Sequence, residues 1–145
     1  MLQVPIVRLD QELAVPAYAR PGDAGADLIA RTDVTVAPAG GRALVPTGIA
    51  IAIPSGYAGF IQPRSGLALR HGITCLNSPG LIDAGYRDEI KVLLVNTDAH
   101  QPYHVRRGDR VAQLVIQRVE EADFVICDEL PEGDRGLAGF GSTGT

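Results

Sequence analysis

Hydrophobic residues fall in short runs along the whole chain, separated by groups of turn-forming residues. The turn groups contain Gly, Pro, Asp or Asn, as in PGDAG, APAGG, NSPG and RRGD. Strands separated by such turns are typical of a sandwich or barrel, so the pattern predicts an all-β fold. The hydrophobic runs occupy residues 4–9, 34–37, 43–53, 58–63, 89–96, 110–119 and 122–127.

One short helix is expected to interrupt this pattern. Ser65 is the predicted N-cap, the residues GLALR form the body, and Gly72 is the C′ residue that ends it. No long segment combines helical periodicity with capping residues, so long helices are not expected.

The composition favours one domain with a core of small aliphatic residues. Of 145 residues, 46% are hydrophobic but only 5% are aromatic, so Val, Ile, Leu and Ala must fill the core. From residue 128 onward the chain becomes polar and rich in glycine. The predicted organisation is a β-domain at 1–127 followed by a mobile arm at 128–145.

Charge and hydropathy exclude several classes of partner. The net charge of −4 predicts no broad basic surface for nucleic acid. The most apolar region is interrupted by Pro46 and Pro54, so no membrane span is expected. Cys75 and Cys127 lie far apart and predict free thiols in a reducing compartment, and the N-terminal residues lack the basic region of a signal peptide. A cytoplasmic protein is therefore expected.

The segment GLIDAGYRDEIKV, at residues 80–92, has the composition of a small pocket. Asp83 is its candidate for taking a proton from water, and the ring of Tyr86 is suited to contact a sugar or base. The alternative is an ordinary hairpin turn, in which Asp and Gly are common.

Two further segments combine Arg, hydroxyl residues and Gly in the way that anion sites do. Arg64, Ser65 and Gly66 stand at the start of the expected helix, where backbone N–H groups are unpaired. Arg135 and Phe140 lie in the tail RGLAGFGSTG, which is able to fold over a ligand. The alternatives are a capped turn with a surface arginine and a flexible chain end.

Isolated polar residues also have two interpretations each. Asp23 and Asp27 can hold a hydrated Mg²⁺ or can satisfy turn N–H groups and arginines. Gln113 lies in an apolar run, so its amide needs a backbone or phosphate partner. Asn77 is either a turn residue or a reader of a base edge, and Lys91 alternates with apolar neighbours as a solvent-facing residue does.

Taken together, the segments resemble the five motifs of the trimeric deoxyuridine triphosphatase (dUTPase) family. The matching segments, in chain order, are PGDAGADL, PRSGLALRHGI, NSPGLIDAGYRDEIKVLLVN, RRGDRVAQLVI and RGLAGFGSTG. Five ordered matches are far more specific than any one of them. The resemblance implies a jelly-roll-like, distorted β-barrel that assembles as a homotrimer, with active sites shared between subunits and closed by the C-terminal arm.

The resemblance also implies residue roles. Asp83 matches the general base that activates water for attack on the α-phosphate. Tyr86 matches the residue that packs under deoxyribose, and Lys91 matches a further substrate contact. The hairpin that holds uracil is matched by Asn77, Leu81, Ile82 and Asp83.

The triphosphate and its metal have matches on other segments. Mg²⁺ is held mainly by the triphosphate, and Asp27 matches the acid that contacts it through water. Phe140 matches the ring that stacks on uracil. Phosphate contacts are matched by Arg64, Ser65, Gly66 and Gln113, and by Arg135, Gly141, Ser142 and Thr143 in the arm.

The implied activity is hydrolysis of dUTP to dUMP and pyrophosphate, which keeps uracil out of DNA and supplies dUMP for thymidylate synthesis. Two alternatives stay open: a dCTP deaminase-like enzyme and a non-catalytic nucleotide-binding trimer. The chain departs from the family pattern at Asp88 and Ala138, where the family usually has Gly. Neither departure removes a catalytic group.

Overall fold

The predicted strands form an all-β domain with one short helix. The computed structural model describes residues 2–133. The strands are β1 (Ile6–Arg8), β2 (Ala26–Ile29), β3 (Val34–Val36), β4 (Arg42–Pro46), β5 (Ile49–Ile51), β6 (Tyr57–Gln62), β7 (Ile73–Cys75), β8 (Gly80–Ile82), β9 (Lys91–Asn96), β10 (Tyr103–Val105) and β11 (Arg110–Arg118), and the helix is α1 (Ser65–His71). The prediction of an all-β fold with one short helix is confirmed.

Most hydrophobic runs became strands, but one did not. Residues 122–127 have no regular structure, and the side chains of Phe124 and Ile126 are 91% and 99% exposed. The prediction of a strand there is wrong for the single chain, because a strand needs a hydrogen-bonding neighbour and this segment has none within residues 2–133. The pattern also missed β2, β7, β8 and β10, which have at most four residues each.

The helix begins one residue earlier than expected and ends as expected. Arg64, not Ser65, is the N-cap, with an extended backbone and no side-chain capping bond. Gly72 has a φ of 63° and donates its N–H to the carbonyl of Ala68. A Cβ at Gly72 would lie 2.7 Å from Oγ1 of Thr97, so both backbone angle and space require glycine.

Antiparallel sheets enclose an aliphatic core. One sheet has four strands in the order β2-β11-β6-β8, and another has three in the order β4-β9-β7. The remaining strands form the pairs β1-β5 and β10-β3. The buried cluster consists of Val, Ile, Leu and Ala with one cysteine, Cys75, as the composition predicted. Burial raises the pKa of the Cys75 thiol to about 11.

Strand β11 sets the register of the four-stranded sheet. Its residue Gln113 lies opposite Asp27 of β2 on one side and Gln62 of β6 on the other. The C-terminal end of β6 and strand β2 therefore flank the same part of β11. The segment that follows β6, the start of β2 and the first residues of β11 line one pocket. Within residues 2–133, no helix is long and apolar enough to cross a membrane.

A chain of ion pairs joins the loops at one end of the barrel. Asp10 accepts from Arg107 at 2.5 Å and lies 3.6 Å from Nε of Arg31, while Arg107 also reaches Glu12 at 3.0 Å. The hydrogen bond from Arg107 is the main reason that the pKa of Asp10 falls from 3.8 to about 2. Asp10 therefore links the N-terminal loop to the loop before β11.

Asp10→Asn is expected to lower the melting temperature near neutral pH, because the neutral amide loses the charge interaction with Arg107. Since the folded pKa is depressed, the carboxylate's contribution is fully present above its usual 3.8 and is lost as pH falls through about 2. The difference in melting temperature between variant and wild type, measured by thermal unfolding followed by circular dichroism, should therefore narrow as the pH falls from 3.8 to about 2. Asp123→Asn, in the exposed segment, is the control. A melting-temperature difference between Asp10→Asn and wild type that did not change with pH would contradict the pairing of Asp10 with Arg107.

Candidate active site

A polar pocket of about 380 Å³ lies where β2, β11 and the segment after β6 meet. Three arginines line it, together with two acids, Asp23 and Asp27, which leaves an excess of one positive charge. The cationic and hydrogen-bonding groups in the lining are Arg64, Arg70, Arg110, Ser65 and Gln113, and Gly66 exposes backbone. This composition suits an anion with several oxygens.

Asp27 holds two of the arginines in place. Its Oδ1 lies 3.3 Å from Nε of Arg64, and its Oδ2 lies 3.3 Å from Nη1 of Arg110. Arg64 also donates from Nη1 to the carbonyl of Arg110 at 3.0 Å. Of the two interpretations of Asp27, pairing with arginine is therefore observed. The carboxylate is 21% exposed and still borders the pocket.

Gln113 is fixed between two backbone segments. Its Nε2 donates to the carbonyl of Pro63 at 3.0 Å, which satisfies the amide that the sequence predicted to need a partner. A Cβ at Gly25 would lie 2.5 Å from Oε1 of Gln113. Gly25 is therefore required for Gln113 to reach Pro63, and the sequence analysis missed this role.

Arg70 and Arg110 were also missed from sequence. The guanidinium of Arg70 folds back over the start of α1, so that a Cβ at Gly66 would lie 2.9 Å from its Nη2. Arg110 precedes Gln113 by three residues on β11, but only the sheet register brings it to Asp27. The signal in the sequence was the position of Arg70 one helical turn after Gly66.

The Asp83 segment lies elsewhere on the barrel. Asp83 is exposed, directly after β8, and its carbonyl accepts the N–H of Tyr86 at 3.0 Å. Leu81 is exposed and Ile82 is buried on β8, while the amide of Asn77 lies beside Gly80. Tyr86 donates its hydroxyl to the carbonyl of Glu89, and Lys91 is exposed at the start of β9. None of these residues lines the arginine pocket.

The strand register gives the separation between the two groups. Ile82 lies opposite Gly59 on β6, so Asp83 follows toward Ala58, whereas Arg64 comes after the other end of β6. Six residues of extended chain separate positions 58 and 64, which corresponds to about 20 Å along the strand direction. Side chains that act on one small group must lie within hydrogen-bond reach of it, so Asp83 and Arg64 of one chain are too far apart to contact the same group.

Comparison with known proteins identifies the family. The family model for dUTPase matches residues 11–144. The deoxyuridine 5'-triphosphate nucleotidohydrolase of Thermobifida fusca is 64% identical over 143 residues, covering 99% of this chain and 79% of that one. The enzyme of the same name from Leifsonia xyli is 57% identical over 130 residues, covering 90% and 85%.

The chain belongs to the dUTPase family. A solved structure of the Staphylococcus bacteriophage 80alpha dUTPase with dUPNHPP superimposes with a TM-score of 0.90 over 100% of both chains at 24% identity. At that identity the likeness concerns the fold, and it confirms the jelly-roll-like barrel that the resemblance implied.

The remaining predicted site residues belong to the last dUTPase motif. Arg135, Phe140, Gly141, Ser142 and Thr143 lie outside the described residues. In the part of the chain that is described, no group of three or more His, Cys, Asp or Glu residues is placed to hold a metal. Asp27 is a carboxylate of the pocket, and both of its oxygens already contact arginines, Arg64 and Arg110.

Proposed function

We propose that the protein hydrolyses dUTP to dUMP and pyrophosphate, which lowers the dUTP available to DNA synthesis and supplies dUMP. The single observation that carries the proposal is the arginine pocket built by Asp27, Arg64 and Gln113 in a chain of the dUTPase family. The relatives named deoxyuridine 5'-triphosphate nucleotidohydrolase match nearly the whole chain, which supports the same substrate here.

The triphosphate is proposed to occupy the pocket. Arg64 is fixed by Asp27 and by the carbonyl of Arg110, which leaves the rest of its planar fork free to donate to phosphate oxygens. Ser65 contributes a hydroxyl and Gly66 a backbone N–H in the first turn of α1, and the Gln113 amide borders the same space. A preformed set of donors of this kind stabilises charge that develops as a phosphoryl group is transferred.

Asp83 is proposed as the general base. Its carboxylate takes a proton from a water molecule, and the water oxygen attacks the α-phosphorus. A new phosphorus–oxygen bond forms as the bond to the bridging oxygen of the β-phosphate breaks, so pyrophosphate leaves and dUMP remains. Asp83 is exposed at the end of a paired strand, which gives it both access to solvent water and a rigid support.

Uracil and deoxyribose are proposed to bind at the connection between β7 and β8, at β8 itself and at the loop after it; β7 and β8 belong to different sheets, so they do not form the hairpin that the resemblance implied. Asn77, Leu81, Ile82 and the Asp83 backbone form the uracil contacts, and the Tyr86 ring packs under the sugar. Lys91 adds a cation at the start of the next strand, where it is exposed. Buried Ile82 anchors β8 to the core, which keeps this edge of the sheet in one position.

The proposed metal is Mg²⁺, and the donor set fits an ion held mostly by substrate. The pocket offers a partly exposed carboxylate, Asp27, and Mg²⁺ in proteins keeps several waters and takes few protein ligands. When bound, the ion offsets negative charge on the triphosphate oxygens. Asp27 would contact it through water while continuing to hold Arg64 and Arg110.

The sites are proposed to be shared in a homotrimer, because one chain separates Asp83 from Arg64 by about 20 Å. A second copy supplies Asp83 to the pocket of the first. The exposed apolar residues Phe124, Val125 and Ile126 favour the same assembly, since a contiguous apolar segment is rarely left in water. Residues 128–145 are proposed as the arm that closes over bound nucleotide.

Nucleotide assays should separate this activity from the alternatives. Purified protein is expected to release pyrophosphate from dUTP far faster than from dCTP, dTTP or UTP, and EDTA should reduce the rate because the triphosphate loses its counter-ion. Ammonia release from dCTP would instead support the deaminase-like alternative. Tight binding of dUTP without turnover would support the non-catalytic trimer.

Asp83→Asn is expected to reduce kcat by at least about 100-fold, because the amide cannot take a proton from water. Binding of a non-hydrolysable dUTP analogue, measured by calorimetry, should persist. Asp88→Asn is the matched control: it makes the same charge change in the same loop and keeps the oxygen that accepts the Glu89 N–H. Comparable kcat values for the two variants would rule out Asp83 as the base.

A further inference from the structure

The loop that carries Asp83 and Tyr86 is shaped by its own hydrogen bonds. Residues 83–90 connect β8 to β9. Tyr86 donates its N–H to the Asp83 carbonyl at 3.0 Å, and Arg87 donates from Nη1 to the carbonyls of Ala84 and Tyr86 at 2.6 and 2.7 Å. These bonds define the shape of the loop but do not attach it to the barrel.

Residues 89 and 90 make that attachment. The Ile90 backbone donates its N–H to the Ile49 carbonyl at 2.9 Å and accepts from Thr47 with its carbonyl, and Glu89 supplies the side-chain contacts. Its Oε1 accepts the Gly48 N–H at 2.8 Å and lies 3.4 Å from Nη1 of Arg31, and the side chain is only 12% exposed. Within residues 2–133, no other side chain of residues 83–90 forms a hydrogen bond outside the loop. Charge-assisted bonds of this kind are stronger than neutral ones, so the Glu89 side chain, together with the Ile90 backbone bonds, fixes the position of the Glu89 backbone.

The Tyr86 ring is tied to that backbone. The Tyr86 hydroxyl donates to the Glu89 carbonyl at 2.9 Å. Tyr86 is otherwise a partly exposed ring on a turn, and a ring so placed needs a fixed acceptor to hold one orientation. A shift of the Glu89 backbone is therefore passed directly to the tip of the Tyr86 side chain.

Arg31 is itself held by contacts with the N-terminal loop. Its Nη2 donates to the Leu9 carbonyl at 3.2 Å, and its Nε lies 3.6 Å from Asp10. Asp10 in turn pairs with Arg107, which reaches Glu12 at the 85% exposed end of the row. The charges alternate in sign from Glu89 outward, so each group fixes the next.

We propose that Glu89 is a positioning residue for Tyr86 and, through it, sets the selection of deoxyribose over ribose. The inference rests on the proposed function, in which the Tyr86 ring packs under the sugar. Glu89 contacts neither the nucleotide nor the reacting water, and it acts only through Tyr86. Exclusion of a 2′-hydroxyl is a steric effect, and it depends on ring position at the sub-ångström level.

The test compares kcat/KM for dUTP and for UTP in four variants. Glu89→Ala removes both side-chain contacts, and Arg31→Met removes the cation that holds Glu89. Both should lower the ratio of kcat/KM for dUTP to kcat/KM for UTP. Glu89→Ala should lower it by at least about tenfold, because the Tyr86 ring is no longer held against the extra hydroxyl. Glu89→Gln keeps an oxygen for the Gly48 N–H and should recover much of the ratio. Glu12→Gln, at the exposed end of the same row, should leave it unchanged.

A purely structural role would reduce both activities equally and leave the ratio as in wild type, and that result would overturn the proposal. Glu89→Gln and Arg31→Met decide the matter if Glu89→Ala does not fold. Hydrogen–deuterium exchange of residues 83–88, measured without nucleotide, provides a readout that does not need activity. Faster exchange in the Glu89 and Arg31 variants supports the proposal, and unchanged exchange overturns it. This result is independent of catalysis, so it can be read even if the wild-type protein does not hydrolyse dUTP and the proposed function is wrong.

Discussion

The antiparallel register of β11 between β2 and β6 is the constraint on which the pocket depends. It puts Gln113 opposite Asp27 and Gln62, so that Arg64 arrives beside the Asp27 carboxylate. A slip of one residue would turn Gln113 to the other face of the sheet and break its bond to Pro63. The buried aliphatic residues that alternate along β11 oppose such a slip, because they would then face solvent.

The same register divides the proposed chemistry between two ends of the sheet. The groups proposed to bind phosphate gather after β6, whereas Asp83 and Tyr86 follow β8 at the opposite end. Each end is rigid by itself: Asp27 fixes the arginines, and Glu89 fixes the loop of Asp83. In the proposed homotrimer, assembly of copies brings two preformed halves together, which avoids the entropic cost of ordering a catalytic loop within each turnover.

Much of the fold followed from sequence because alternation and turn residues are local signals. The aliphatic core, the end of α1 at Gly72 and most strands were predicted correctly. The strand at 122–127 was not, because pattern alone does not reveal whether a partner strand exists in the same chain. Ser65 was misjudged as the N-cap because Ser at a helix start is usually a cap, whereas here Arg64 takes that position without a side-chain bond.

The motif residues of the site were predictable from sequence, but the residues that hold them in position were not. Arg64, Ser65, Gly66 and Gln113 were expected together, and they line one pocket. Gly25, Arg70 and Arg110 were missed, because their roles arise from close approach across the sheet and the helix rather than from any spacing along the chain.

Subunit complementation tests the central claim most directly. Asp83→Asn and Arg64→Gln chains, each inactive alone, would be mixed in equal amounts, unfolded and refolded together. If a site takes Asp83 from one copy and Arg64 from another, random mixed trimers should regain about one quarter of wild-type activity, since half of the chains at each of two positions are intact. Mixtures no more active than the separate variants would contradict shared sites and place the whole reaction within one chain.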